Sequence, residues 1–85
     1  MQATKVNRNS MYKWILSALG DSELTAREIA IILHDRGLIP LPIRQATAPR
    51  LTELAGKGQV EVVGTKIDEE SKKTVGIYRS TKDGK

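Results

Sequence analysis

The sequence predicts an α+β fold in which a three-helix core is followed by a two-stranded β-hairpin. Three segments with apolar residues at helical spacing come first in the chain, and glycines follow each of them. Two β-branched segments then flank a polar stretch, which is the pattern of a hairpin. Three helices before a hairpin is the element order of a winged helix-turn-helix, and this is the fold class we expect.

Length and composition indicate one small domain. A chain of 85 residues with 39% hydrophobic residues can bury a compact core and is too apolar for a disordered protein. The absence of cysteine excludes disulfides and thiolate metal sites. No apolar run approaches the ~18 residues that span a bilayer, and the N-terminus lacks the apolar segment of a secretion signal. We therefore expect a cytoplasmic protein with no membrane association, and the net charge of +4 suits an anionic partner.

The chain divides into an arm, a domain and a tail. Polar residues dominate 1–9, expected to be a flexible N-terminal arm, and 81–85, expected to be a disordered tail. The winged-helix domain is expected at 10–80. Its first helix is predicted to end at Gly20, after apolar residues that recur every three or four positions: Met11, Trp14, Ile15, Ala18 and Leu19.

The second helix is predicted to begin at a capping box. Thr25 and Glu28 have the spacing at which each side chain accepts a hydrogen bond from the other residue's backbone N–H. The helix is expected to end at Gly37 and to bury four apolar residues: Ile29, Ala30, Ile32 and Leu33.

The third helix is predicted from about 43 to 57, after a "GLIPLP" connection whose two prolines exclude a regular helix. Pro49 has two interpretations. It lies in the first turn, where it loses no helical hydrogen bond, or it lies inside the helix and bends it. The inward face is expected to carry Thr47, Leu51 and Leu54, with Ala55 at its edge.

The hairpin is predicted from the segments "VEVVGTK" and "TVGIYRS", with "IDEESKK" as the wing tip between them. A rival layout is a three-helix bundle with a disordered tail. That layout would leave four apolar residues with nothing to pack against: Val60, Val62, Val75 and Ile77.

The outward front of the third helix is the candidate DNA-reading surface. In the major groove a Gln side chain can bind adenine, an Arg side chain can bind guanine, and Ala or Pro can pack on a thymine methyl. The alternative is that the polar members are ordinary solvated helix surface. The candidate residues are Arg44, Gln45, Ala46, Pro49 and Arg50.

Four further cations are candidate contacts to DNA phosphates. Arg27 lies in the first turn of the second helix, an end that crosses a phosphate strand in helix-turn-helix complexes. The other three flank the wing tip: Lys66, Lys72 and Lys73. The alternative for these lysines is a set of salt bridges with the tip acids Asp68, Glu69 and Glu70.

The sequence indicates no catalytic, cofactor or metal site. His34 is the single histidine, and without a cysteine it cannot anchor an ordinary zinc site. No Ser–His–Asp spacing stands out, and "AGKGQ" lacks the Ser or Thr that follows the lysine of a phosphate-binding loop. We expect a protein that is not an enzyme and takes no cofactor.

Three segments carry a resemblance to known proteins: "LTAREIA", "RGLIPLPIRQATAPRLTELAGKGQVEVVG" and "KKTVGIYR". Over roughly 10–80 the chain resembles small winged-helix proteins often encoded by bacteriophages and prophages, and more loosely bacterial winged-helix repressors. The most specific part is "APRLTEL", since related sequences also carry Pro-Arg-Leu early in the third helix. The resemblance implies DNA binding through the third helix, with the wing touching the backbone beside it. The long "GLIPLP" connection and the acidic wing tip depart from that pattern.

We therefore expect a small phage or prophage transcriptional regulator that binds double-stranded DNA. The alternative, favoured by the acidic wing tip and second helix, is a protein-interaction module that docks on phage or host machinery. Reading a palindrome would need a homodimer. Four apolar residues are candidates for such an interface, or for core beneath the loop: Ile31, Leu38, Ile39 and Leu41.

Overall fold

The computed structural model describes residues 8–81 of the chain. It confirms the α+β class, with three helices followed by a hairpin, and adds a short strand that the sequence did not predict. The elements are α1 (Arg8–Leu19), β1 (Leu24–Thr25), α2 (Ala26–Asp35), a 3₁₀ helix (Arg44–Ala46), α3 (Ala48–Gly56), β2 (Val60–Ile67) and β3 (Thr74–Ser80).

The ends of the domain differ slightly from those expected. Most of the arm expected at 1–9 lies outside the described residues, but Arg8 and Asn9 already belong to α1. Residues 82–85 of the expected tail also lie outside them. Thr81 is hydrogen-bonded, because its backbone N–H donates to the Gln59 carbonyl at 3.1 Å.

The three strands form one antiparallel sheet in the order β1-β3-β2. Leu24 and Thr25 of β1 lie opposite Tyr78 and Ile77 of β3. The β2–β3 pairing runs from Val60 to Ile67 with an irregularity between Val62 and Gly64. Because Thr25 is also the N-cap of α2, the short strand fixes the hairpin to the start of that helix.

The core lies among the three helices and the near end of the hairpin. Side chains that are fully buried come from every helix, and Val60 joins them from β2. The largest are Ile15, Leu19, Ile29, Leu33, Leu51, Leu54 and Thr47. Burying side chains of this size is the main favourable term in folding so small a domain.

Several apolar residues are less buried than predicted. Trp14, Ala18 and Ile32 are only partly buried, and Ala55 is exposed. Val62 is exposed because β2 loses its contact with the core after Val60. Tyr12, which was not predicted to be buried, is part of the core, and its hydroxyl donates to Glu53 of α3.

The caps of α2 agree with the sequence. The Thr25 N–H donates to Glu28 Oε1 at 2.9 Å, and the Glu28 N–H donates to Thr25 Oγ1 at 3.2 Å. The helix closes at Gly37, whose φ of +77° favours glycine. The N–H of Leu38 then donates to the Leu33 carbonyl at 2.9 Å. This bond supplies a donor to a carbonyl of the last helical turn that has no partner within the helix.

Candidate functional site

The third helix is preceded by a break at Thr47, where one continuous helix from 43 was predicted. The 3₁₀ helix ends at Ala46, and α3 begins at Ala48. A continuous helix would drive the Pro49 ring into the carbonyl of Gln45, four residues earlier. With the break, Pro49 lies in the first turn of α3, where its missing N–H costs little. The first of the two interpretations of Pro49 is therefore correct.

Thr47 holds this break in place from inside the protein. Its side chain is fully buried, and its hydroxyl donates to the Ala26 carbonyl at 2.7 Å. The bond joins the start of α3 to the start of α2. Together with the burial of Leu51 and Leu54, it sets which face of α3 points outward.

The predicted outward front of the third helix is divided between two elements: Arg44, Gln45 and Ala46 lie on the 3₁₀ helix, and only Pro49 and Arg50 lie on α3. We call the 3₁₀ helix and the first turn of α3 together the front of α3, and its outward surface the reading face. Arg44, Gln45 and Pro49 are exposed, whereas Ala46 is partly buried and packs against the core. Within residues 8–81, the side chains of Arg44 and Gln45 have no hydrogen-bond or ion-pair partner. Their polar groups are therefore available to a ligand.

One residue of this face was missed. Thr52 is exposed and lies three positions after Pro49, so it shares the face of the helix that Pro49 occupies. That spacing was the available signal. Its hydroxyl donates to the Ala48 carbonyl at 3.2 Å and can still accept a hydrogen bond.

Arg50 is held rather than free. Its Nη2 donates to Glu53 Oε2 at 3.0 Å, and its Nε lies 2.9 Å from Glu53 Oε1. The Tyr12 hydroxyl donates to the same Oε1 at 2.7 Å. Lys57 Nζ lies 4.5 Å from the centre of the Tyr12 ring. Side chains of α1 and α3 thus form one connected group beside the reading face.

The wing is tied to the first turn of α2 by ion pairs. Arg27 Nε lies 3.0 Å from Glu70 Oε1, and its Nη1 lies 3.9 Å from Asp68 Oδ1. Lys66 Nζ donates to Glu28 Oε2 at 2.8 Å. We call these five residues the wing latch. Phosphate contact by Arg27 and Lys66 stays a prediction, and in the free protein both cations face carboxylates.

The charges of the wing latch alter its own titration. Burial alone would raise the pKa of Glu28, but hydrogen bonds from Lys66 and the Thr25 N–H outweigh it and lower that pKa below its ordinary value. The carboxylate raises the pKa of Lys66 in return. The Ser71 N–H, which donates to Asp68 Oδ2 at 2.9 Å, lowers the pKa of the Asp68 carboxyl.

A cleft separates the front of α3 from the wing. It brings together four of the residues predicted to contact DNA: Arg27, Arg44, Gln45 and Lys73. Asp68 and Glu70 also line it, so both signs of charge meet there. Gln45 is shared with a neighbouring shallow groove, which contains Ala46, Pro49 and Arg50. Lys66 and Lys72 line neither depression.

The lysines at the end of the wing are not part of the latch. Lys72 and Lys73 are exposed, and their side chains have no partner among residues 8–81. Lys72 adopts a φ of +61°, which closes the turn: its N–H donates to the Asp68 carbonyl at 2.8 Å. Salt bridges between these lysines and the tip acids, the alternative from the sequence, are absent from this part of the chain.

Several large apolar side chains are exposed on the loop before the 3₁₀ helix and on the wing. They are Leu41, Ile43, Val62, Val63 and Ile67. Of the four residues proposed for an interface or for core beneath the loop, Ile39 is buried and Leu41 is exposed, with the other two intermediate.

Residues 8–81 contain no group of three His, Cys, Asp or Glu side chains that could hold a metal ion. In the same range, no helix has the length and apolar character needed to cross a membrane. His34 Nδ1 lies 3.2 Å from the Ile39 carbonyl oxygen at the end of α2.

The chain has no significant match among protein-family models, curated proteins or solved structures. The geometry of the front of α3 and of the wing is therefore the basis from which its function is inferred.

Proposed function

We propose that this protein binds double-stranded DNA by placing α3 in the major groove. The observation that carries the proposal is the front of α3, where Arg44 and Gln45 extend into solvent without partners while Thr47 and Leu51 are buried. An exposed, cationic and amide-bearing helix end on a rigid core is what reading base edges requires.

Each residue of the front has a distinct role in this proposal. Gln45 reads an adenine edge and Arg50 a guanine edge, because their side chains offer bidentate hydrogen bonds to those bases. Pro49 and Ala46 are small enough for α3 to approach the groove and can contact a thymine methyl. Arg44 contacts a phosphate next to the bases that are read.

The wing contributes fewer phosphate contacts than its lysines alone would suggest. Lys72 and Lys73 are free to meet phosphates, whereas Lys66 and Arg27 are already paired in the wing latch. With Arg44, this gives three phosphate contacts. The logarithm of the binding constant should then fall with the logarithm of salt concentration at a slope of about −2.7, and not about −4.5 as for five contacts.

Selection from random-sequence duplexes, followed by titration across a salt series, tests the proposal. We expect a preferred site and a salt slope near about −2.7, the value for three phosphate contacts. Gln45→Ala and Arg50→Ala should each reduce discrimination by about 1–3 kcal/mol and leave the fold intact. Failure to enrich any sequence, with no binding at low salt, would exclude DNA as the ligand.

Such a protein would act in the cytoplasm of a bacterial host, as a small phage or prophage regulator of transcription. Reading a two-fold operator would require two copies spaced by about one turn of DNA. Measuring the size of the free protein and of its DNA complex decides whether the copies associate before binding.

A second candidate function is a protein-interaction module. The exposed apolar residues favour it, since Leu41 is 55% exposed and Ile67 is 57% exposed, and side chains this apolar often mark contact surfaces. If no duplex binds and the protein self-associates, Leu41→Ser and Ile67→Ser should restore a monomer. If wild-type protein does bind DNA, and both variants bind it with the same affinity, DNA binding remains the better proposal.

A further inference from the structure

Arg50 is paired with a carboxylate on its own helix, and that carboxylate accepts a hydrogen bond from a hydroxyl on another helix. Glu53 lies one turn after Arg50 on α3, and both of its oxygens face the guanidinium group. Tyr12 of α1 donates to Glu53 Oε1 at 2.7 Å. We call these three residues the Arg50 clamp. Its members come from the two helices that border the shallow groove beside the reading face.

The clamp uses only part of the donor capacity of Arg50. A guanidinium group has five N–H donors. Nη2 donates to Glu53, Nε lies at ion-pair distance from it without making a hydrogen bond, and Nη1 has no partner among the described residues. The edge formed by Nη1 and the second hydrogen of Nη2 therefore remains available for the N7 and O6 acceptors of a guanine.

An acidic residue beside a DNA-reading surface needs a physical reason, because its charge repels phosphates. Glu53 is the single acid in 43–59, where Arg44, Arg50 and Lys57 are the cations. Holding Arg50 offsets that repulsion, since an arginine already fixed in one rotamer loses less entropy on binding. The buried ring of Tyr12 in turn restricts Glu53.

We infer that Glu53, held by Tyr12, is a positioning residue that orients Arg50 to read guanine in the major groove. This inference rests on the proposed DNA binding and adds the base class that Arg50 recognises. The selected site should therefore contain a guanine whose replacement by adenine weakens wild-type binding and hardly affects Arg50→Ala.

Glu53→Gln should raise affinity for random duplexes and lower discrimination between sites. Loss of the carboxylate should raise affinity for random duplexes, because a repulsive charge has gone. Discrimination between the selected site and its guanine-to-adenine variant should fall by about 2- to 12-fold, the equivalent of one side chain that must be immobilised on binding. An equal rise in affinity for the selected site and for its guanine-to-adenine variant would mean that Glu53 acts through its charge alone. That result would overturn the inference.

Tyr12→Phe separates positioning from charge, since it removes only the hydroxyl. Discrimination should fall in the same direction, while affinity for random duplexes and the salt slope stay unchanged. Glu61→Gln is the matched control. Glu61 is an exposed acid of β2 paired with Arg79, so the change removes the same charge without touching the clamp. Loss of discrimination in this control to the same extent would also overturn the inference.

A measurement without DNA separates failure of the clamp from failure of DNA binding. The NMR signal of the Arg50 Nε–H should report an ordered side chain in the free wild type and a mobile one in Glu53→Gln. Equal mobility in both proteins would show that no clamp exists, even if DNA is bound. An ordered Arg50 in a protein that binds no duplex would overturn the proposed function, and the reading role of the clamp with it.

Discussion

At the scale of single residues, Thr47 joins α2 to α3 through one buried hydrogen bond. Its hydroxyl donates to the Ala26 carbonyl, and the side chain is surrounded by core. The Ala26 carbonyl lies in the first turn of α2 and keeps its helical donor, so the Thr47 bond contributes the ~0.5–1.5 kcal/mol typical of one hydrogen bond. The orientation of the reading face depends on this residue as well as on the leucines that follow.

Thr47→Val keeps the shape of the side chain and removes the donor. We expect a loss of about 0.5–1.5 kcal/mol in the free energy of unfolding, which in a domain of this size lowers Tm by roughly 4–8 °C per kcal/mol. Thr52→Val is the control, since its hydroxyl is exposed and bonds only within its own helix. Equal melting temperatures for the two variants would show that the Thr47 bond contributes little.

The leucines of α3 test its orientation more severely. Leu51→Ala and Leu54→Ala should each cost about 2–5 kcal/mol, because both side chains are fully buried. Leu41→Ala makes the same chemical change at an exposed position and should cost far less. Thermal or urea unfolding measures all three. Were the three losses alike, the inward face of α3 would be assigned wrongly.

The inward face of α3 could be predicted from spacing, but the bond made by Thr47 could not. Thr47, Leu51 and Leu54 recur at helical intervals, and all three are buried. The acceptor of the Thr47 bond lies 21 residues earlier in the chain. Ala55 was placed at the edge of the buried face and is exposed.

At the scale of elements, the wing latch decides how the hairpin is placed against the helices. The sequence allowed the wing lysines to meet either phosphates or the tip acids. Instead Lys66 pairs with Glu28, 38 residues away. Two of the tip acids, Asp68 and Glu70, pair with Arg27. Such pairs depend on how the strands dock on α2. Spacing within the hairpin therefore gave no signal for them.

Neighbouring acids of the tip provide a matched test of the latch. Glu70→Gln removes the nearer of the two carboxylates that pair with Arg27, whereas Glu69→Gln removes the same charge outside the latch. We expect Glu70→Gln to release Arg27 for one more phosphate contact, which steepens the salt slope of DNA binding by about 0.9. Glu69→Gln should leave the slope unchanged. Equal slopes in the two variants would mean that Arg27 is not restrained by the wing.

The latch should also open in acid. The pKa values of Glu28 and Asp68 lie below their ordinary values of 4.5 and 3.8, so the stabilisation is complete above about pH 5 and is lost as the pH falls through the lowered values. The raised pKa of Lys66 preserves its pairing until the pH rises past the ordinary 10.5. Tm should therefore fall more steeply below pH 4.5 in the wild type than in Glu28→Gln. Parallel acid profiles would argue against the latch.

On the scale of the whole molecule, the segment 43–59, which includes the 3₁₀ helix and α3, has a net positive charge, and the wing has none. Residues 60–80 carry four cations and four carboxylates, a net charge of zero, whereas 43–59 carry three cations and one carboxylate. The domain should therefore approach DNA with α3 leading and the wing following. The order of elements was predictable from apolar periodicity. The short β1 was not, because a two-residue strand leaves no periodic pattern.

The most direct test of α3 as the reader compares two pairs of identical substitutions. Arg44→Ala with Gln45→Ala removes the free side chains at the front of α3. Arg36→Ala with Gln59→Ala removes an exposed Arg and Gln at the C-terminal ends of α2 and α3. The quantity to measure is the ratio of affinities for a selected duplex and a scrambled one. If α3 reads DNA, the first pair should lower that ratio by at least about tenfold, as expected for one lost base contact, and the second should leave it unchanged. Equal ratios for both pairs and the wild type would contradict DNA reading by α3.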